Sequence, residues 1–172
     1  MNPRMSSITI ICILTIGFLA GPWGSSDGLS NERETGRLKE ILQGKKNDCG
    51  PAALKMVFDY YKILLSQEQI SSRILKNRTT NMFDIKRLAE AEGLTVYACR
   101  IPLDQLKQAF VPAIIHLKSN HYIVLESVLK DKVRVLDPVK GCLTIPFKYL
   151  KKIGSGKILI FRKGQPNCFK KQ

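Results

Sequence analysis

Histidine is nearly absent. Only His116 and His121 occur in 172 residues, so any chemistry that needs an imidazole must use one of them. Acidic residues are also scarce. Fourteen Asp and Glu stand against 28 Lys and Arg, giving a net charge of +14 and a pI ≈ 9.8. The five cysteines (Cys12, Cys49, Cys99, Cys142 and Cys168) form no Cys-x-x-Cys pair and no zinc-ligand spacing, which excludes a zinc site of that kind. There are no repeats, no low-complexity segment, no helix-turn-helix or zinc-finger signature, and no recurrent aromatic-basic strip. The basic residues are scattered, as in Lys45-Lys46, Lys151-Lys152 and Lys170-Lys171. They read as a solvated surface that also suits an anionic membrane, with no specific nucleic acid expected.

The first 26 residues differ from all that follows. Arg4 precedes an uncharged run of thirteen residues, Ile8 to Ala20, and then Gly-Pro-Trp-Gly-Ser-Ser. That order reads as a secretory signal with Gly24 and Ser26 at the exit, or as an uncleaved N-terminal anchor. The stretch Ile8 to Trp23 is 16 residues, slightly short of a comfortable membrane span. The expected organisation is a signal or anchor at 1–26, a linker at 27–35, one domain at 36–163 and a basic tail at 164–172. An exported location, periplasmic or membrane-anchored, is expected over a cytoplasmic one.

Helical patterns come first. Residues 30–42 read as a linker running into a short helix. From Asp48 to Tyr61, apolar residues at 53, 54, 57, 58 and 61 make a helical stripe. Ser66 with Gln69 is a capping-box pattern, and Asn81 caps a third helix closed by Gly93. Short β-rich runs follow at 94–100, 111–117, 121–128, 132–138, 142–146 and 157–162, with brief helices over 103–110 and 147–153. This order predicts an α+β domain in two layers, with N-terminal helices packed on a C-terminal, mostly antiparallel sheet. In an exported chain Cys99 and Cys142, both on predicted strands, are candidates for a disulfide.

The stretch NDCGPAAL, residues 47–54, places Cys49 where a helix begins. There a thiolate faces unpaired N–H groups and the positive end of the helix dipole, a setting that favours a nucleophile. A nucleophile needs a base and a group to orient that base. His121 opens a strand after the polar turn Lys118-Ser119-Asn120, whereas His116 sits inside an apolar strand and reads as packed or solvent-facing. Asp137 ends the next strand, so antiparallel pairing makes it a neighbour of His121. Asp137 would hold one ring nitrogen while the other faces Cys49. The plainer reading of Asp137 is a turn residue in Asp-Pro-Val-Lys-Gly that binds its own backbone. Gln43, six residues before Cys49, supplies an amide that with the Cys49 N–H would form an oxyanion hole.

LQGKKNDCGPAALKMVFDYY, SNHYIVLESV and VLDPVKG together resemble family 39 of the cysteine peptidases. These are the bacteriocin-processing, double-glycine leader peptidases, a papain-like branch. The resemblance runs over roughly residues 36–163. It implies a papain-like α+β fold with Cys49 as nucleophile, His121 as base, Asp137 as orienting acid and Gln43 at the oxyanion. It implies no metal or organic cofactor. The expected protein is a stand-alone, exported, monomeric member that cuts a leader or a secreted or envelope polypeptide after small residues, of Gly-Gly or Gly-Ala type. Secretion or fibre-export machinery is an expected partner. The rival expectation is a catalytically silent papain-like module that captures leader or extended segments without cutting them.

Overall fold

The computed structural model describes residues 38–75 and 79–164. The expected signal or anchor, the 27–35 linker, Cys12, Cys168 and most of the basic tail lie outside the described residues.

Three helices open the domain, and local sequence explains where each begins. Helix α1, Cys49–Tyr60, starts with Pro51 inside its first turn, where a missing N–H costs nothing. Its stripe of Ala53, Leu54, Val57 and Phe58 is fully buried. Burying a side chain of the size of Leu54 or Phe58 is worth about 1.5–3 kcal/mol each. Helix α2, Gln67–Ile74, has the expected capping box. Ser66 Oγ accepts from the Gln69 N–H, and Gln69 Oε1 accepts from the Ser66 N–H. Helix α3, Met82–Ala91, is capped by Asn81, whose Oδ1 accepts from the Asp84 N–H at 2.9 Å.

Six strands follow: β1 Leu94–Arg100, β2 Ala113–Leu117, β3 Tyr122–Val128, β4 Lys132–Asp137, β5 Gly141–Pro146 and β6 Gly154–Lys163. Helix α4, Phe147–Ile153, lies between the last two. They form one sheet in the order β1-β6-β2-β3-β4-β5, and every neighbouring pair is antiparallel. The central strands are apolar on consecutive residues because both faces are covered. Ile114, Val124, Leu136 and Phe161 pack under α1–α3. Ile115, Ile123, Val135 and Ile158 form a second core on the opposite face, with Leu150 of α4. The two-layer expectation holds for α1–α3, and α4 adds cover on the far face.

Three local expectations are corrected. Residues 38–42, the described part of the 30–42 stretch, form no helix, because groups in and next to it bond to the turn between β4 and β5 instead. The Gln43 N–H donates to Pro138 O at 2.8 Å, and Glu40 Oε2 accepts the Cys142 N–H at 2.8 Å. The single helix over 103–110 is instead two 3-10 turns, Leu103–Gln105 and Gln108–Phe110, because Leu106 and Lys107 take up extended angles between them. So short a helix gains little alone, and burying Leu103 and Leu106 in the second core decides its shape. Cys99 and Cys142 are not paired, and both are free thiols. They lie on β1 and β5, the opposite edges of the sheet. Five strand spacings separate those edges by roughly 24 Å, against the 7 Å or so that a disulfide spans.

Candidate active site

Cys49 is the first residue of α1 and is half-buried. Asp48 precedes it, and Asp48 O accepts the Ala52 N–H at 2.9 Å, closing the first helical turn. Behind the cysteine, Gly50 lies flat against Thr80. A Cβ at position 50 would stand 2.5 Å from Thr80 Cγ2, so no side chain fits without displacement. The Tyr122 hydroxyl donates to Thr80 O at 3.1 Å and pins this wall from the sheet side. Burial, helped by the negative charge of a Cys49 thiolate, pushes the Tyr122 phenol up to about 12, so it stays a donor.

His121 comes directly before β3 and approaches the same point from the other face of the sheet. Tyr122 points to the helical layer, so strand alternation turns His121 the other way. Val124 pairs with Leu136, which makes His121 and Asp137 diagonal neighbours on one face. His121 Nε2 lies 2.8 Å from Asp137 Oδ1. A carboxylate only accepts, so Nε2 carries the proton and Nδ1 is the nitrogen left for Cys49. A hydrogen bond with the Cys49 side chain is the strongest influence on His121 and raises its pKa. Partial burial opposes the rise, while the hydrogen bond and charge of Asp137 reinforce it.

Asp137 is buried, and its Oδ1 also accepts the Val139 N–H at 2.8 Å and the Lys140 N–H at 3.3 Å. The turn reading of this aspartate holds, and the same oxygen also faces the His121 ring. The backbone donors fix the carboxylate that holds the ring. Gln43 is held by its own backbone at Pro138, next to Asp137, and its side-chain Oε1 is buried without a hydrogen-bond partner. His116 is engaged with other partners, its Nδ1 2.9 Å from Ser155 Oγ, its Nε2 3.3 Å from Asn120 Oδ1 and its ring packed on Tyr122.

Two hollows flank the Cys49–His121 contact. A narrow one of ≈ 80 Å³ is lined by Lys46, Cys49, Thr80, Asn120 and Tyr122. A broader one of ≈ 290 Å³ runs past His121 and Asp137 over Leu117, Val135 and Tyr149. Thr80, Asn120 and Tyr122 escaped the sequence reading. Tyr122 carried a signal, since it follows His121 directly and strand alternation sends it to the Cys49 side. Thr80 carried none. Among the described residues no group of three or more His, Cys, Asp or Glu is placed to hold a metal ion. A thiol, an imidazole and a carboxylate in series have the composition of an activated nucleophile with its base.

Comparison with known proteins bears on this geometry. The model of the Peptidase C39 family matches residues 37–166. The chain is similar to the colicin V secretion/processing ATP-binding protein of Escherichia coli, 27% identical over 106 residues, covering 61% of this chain and 15% of that protein. It is also similar to a probable functional amyloid protease of Pseudomonas aeruginosa, 28% identical over 142 residues, covering 74% of this chain and 62% of that one. Among solved structures it resembles a double glycine motif protease from an AMS/PCAT transporter, determined with the leader peptide. That match has a TM-score of 0.70 and 29% identity, covering 77% of this chain and 96% of the other. The chain thus spans a small part of the transporter-type relative and under two thirds of the amyloid protease.

Proposed function

The chain belongs to the peptidase C39 family, and from that premise we propose that it is a cysteine endopeptidase that cuts a leader or a secreted or envelope polypeptide after small residues. The observation that carries the reading is His121, whose Nε2 is bonded to Asp137 and whose pKa is raised first by the Cys49 side chain beside it. Its raised pKa favours an imidazolium beside Cys49.

In this reading the Cys49 thiolate attacks the scissile carbonyl carbon and forms a C–S bond. The carbonyl oxygen becomes an oxyanion held by the Cys49 N–H and the Gln43 amide. Collapse breaks the C–N bond, and His121 delivers its proton to the leaving amine. A water, deprotonated by His121, then attacks the thioester. The C–S bond breaks and the thiolate is restored. Asp137 keeps the imidazole in the productive tautomer throughout. The narrow hollow beside Cys49, walled by Thr80 and Tyr122, leaves little room for side chains and supports a Gly-Gly or Gly-Ala site. The apolar run at Ile8 to Ala20 supports an exported or membrane-anchored enzyme that meets such polypeptides outside the cytoplasm.

The test uses the full chain, wild type beside Cys49→Ala, under reducing conditions. Each is incubated with synthetic leader peptides bearing Gly-Gly, Gly-Ala or Leu-Leu before the junction, and new N-termini are read by mass spectrometry. Cuts made by the wild type alone, after the small pairs, are expected. Equal fragments from both proteins, or none from either, would reject the peptidase and leave a peptide-binding module.

A further inference from the structure

The glycine that ends Asp-Pro-Val-Lys-Gly has no part in the chemistry described above, yet its surroundings are specific. Gly141 has φ +79, in the left-handed region that favours glycine. A Cβ there would stand 2.9 Å from both carboxylate oxygens of Glu40. The Glu40 carboxylate is therefore seated on the bare Cα of Gly141, and its Oε2 accepts the next backbone N–H, that of Cys142, at 2.8 Å. Three residues after Glu40 comes Gln43, whose N–H donates to Pro138 O at 2.8 Å. Leu38, two residues before Glu40, is buried in the helical core. The segment 38–43 is thus fastened at three points, two of them on the turn that follows Asp137.

We propose that Glu40 is a positioning residue for the oxyanion group: docked on Gly141, it fixes the segment that presents Gln43, and it joins that segment to the turn that orients His121. This rests on the peptidase reading of Cys49, His121, Asp137 and Gln43. Glu40 touches no reacting atom. It converts an unstructured stretch, free to move relative to the sheet, into an extension of the β4–β5 turn. Preorganisation of this kind is what an oxyanion donor requires, because a donor that must be ordered during reaction loses most of its advantage.

The experiment has two readouts on the full chain. The first needs no substrate: amide hydrogen exchange at the Gln43 N–H, followed by NMR. Glu40→Ala is expected to speed that exchange at least tenfold, while Glu40→Gln, which keeps an oxygen acceptor, retains most of the protection. Unchanged exchange in Glu40→Ala overturns the proposal. The second readout uses a Gly-Gly peptide. Glu40→Ala is expected to lower kcat on the order of tenfold, less than the roughly 10²–10³-fold cost of deleting an oxyanion donor outright. KM and the rate of Cys49 alkylation by iodoacetamide should be unchanged, because alkylation forms no oxyanion. In a Gln43→Ala background the Glu40→Ala change should add no further loss. Multiplied losses, or a matching fall in alkylation, would mean that Glu40 acts on the whole site and would overturn the assignment to Gln43. A wild type that protects Gln43 through Glu40 but cuts no peptide would retain the docking and reject the peptidase.

Discussion

The helix that carries Cys49 and the sheet end that carries His121 and Asp137 reach one point by different means. The position of Cys49 is set almost entirely by its own neighbours in sequence. The stripe of Ala53, Leu54, Val57 and Phe58 fixes which way α1 faces, and the cysteine follows as its first residue. The sheet end depends on contacts distant along the chain. The His121–Asp137 bond spans 16 residues and exists only because Val124 pairs with Leu136. A one-residue slip of β3 against β4 would send His121 to the helical face. Gln43 depends on a still longer connection, through Glu40 to Cys142, 102 residues away. The position of Cys49 is therefore expected to tolerate distant changes that dismantle the contacts of His121, Asp137 and Gln43.

Four substitutions probe that contrast, beginning with the largest effect. Cys49→Ala removes the proposed nucleophile while sparing the fold. Cleavage should fall by at least about 10⁴-fold, with the melting temperature within a degree or two of wild type. A retained activity would show that α1 does not carry the chemistry.

Asp137→Asn tests the sheet end. The carboxamide keeps the shape but no longer holds the ring as a charged acceptor, and kcat should fall about 10²–10⁴-fold. The sign of the pH effect follows from His121, whose folded pKa is raised. The imidazolium persists above its ordinary value of about 6.5. Its contribution to stability is fully present below that value and is lost as pH rises through the raised folded value. Asp137→Asn should move the alkaline limb of the kcat/KM profile to lower pH and shrink the stability difference across that window. An unmoved limb would assign the raised pKa to Cys49 alone.

Gly50→Val acts where the two regions touch. Its Cβ would lie 2.5 Å from Thr80 Cγ2 and 2.9 Å from Thr80 Cβ, so the wall must retreat. Destabilisation of about 1–3 kcal/mol is expected in urea unfolding, together with lost preference for Gly-Gly over larger pairs. Unchanged selectivity would mean that Thr80 does not shape the slot. Ser66→Ala removes the α2 cap, far from the site. It should cost about 1 kcal/mol of stability and leave kcat unchanged. A fall in kcat would show that the helical layer is more tightly coupled to the site than its local construction implies.

Much of the architecture was legible because it is local. The Ser66 box, the Asn81 cap and the alternation or continuity of apolar residues in each strand are short-range signals, and each element lies within a few residues of its expected place. The exceptions share one cause. Residues 38–42 and 103–110 have weak local preferences, so tertiary contacts decided them, through the β4–β5 turn in one case and the second core in the other. The same limit applies to Cys99 and Cys142. Both were correctly placed on strands, but strand order decides whether they can meet, and pairing within each hairpin does not specify it.

By itself, the sequence determined the chemistry available to this protein. One cysteine opens a helix, one histidine precedes a strand, and one aspartate ends the next, because helix capping, strand period and hairpin pairing act over a few residues. Only the tertiary structure decided that His121 lies beside Cys49 and bonds to Asp137, that Thr80 and Tyr122 wall Cys49, and that Glu40 sits on Gly141. Those contacts join segments that share no local pattern. They form only when the packing of two cores on one sheet brings their backbones within hydrogen-bonding distance.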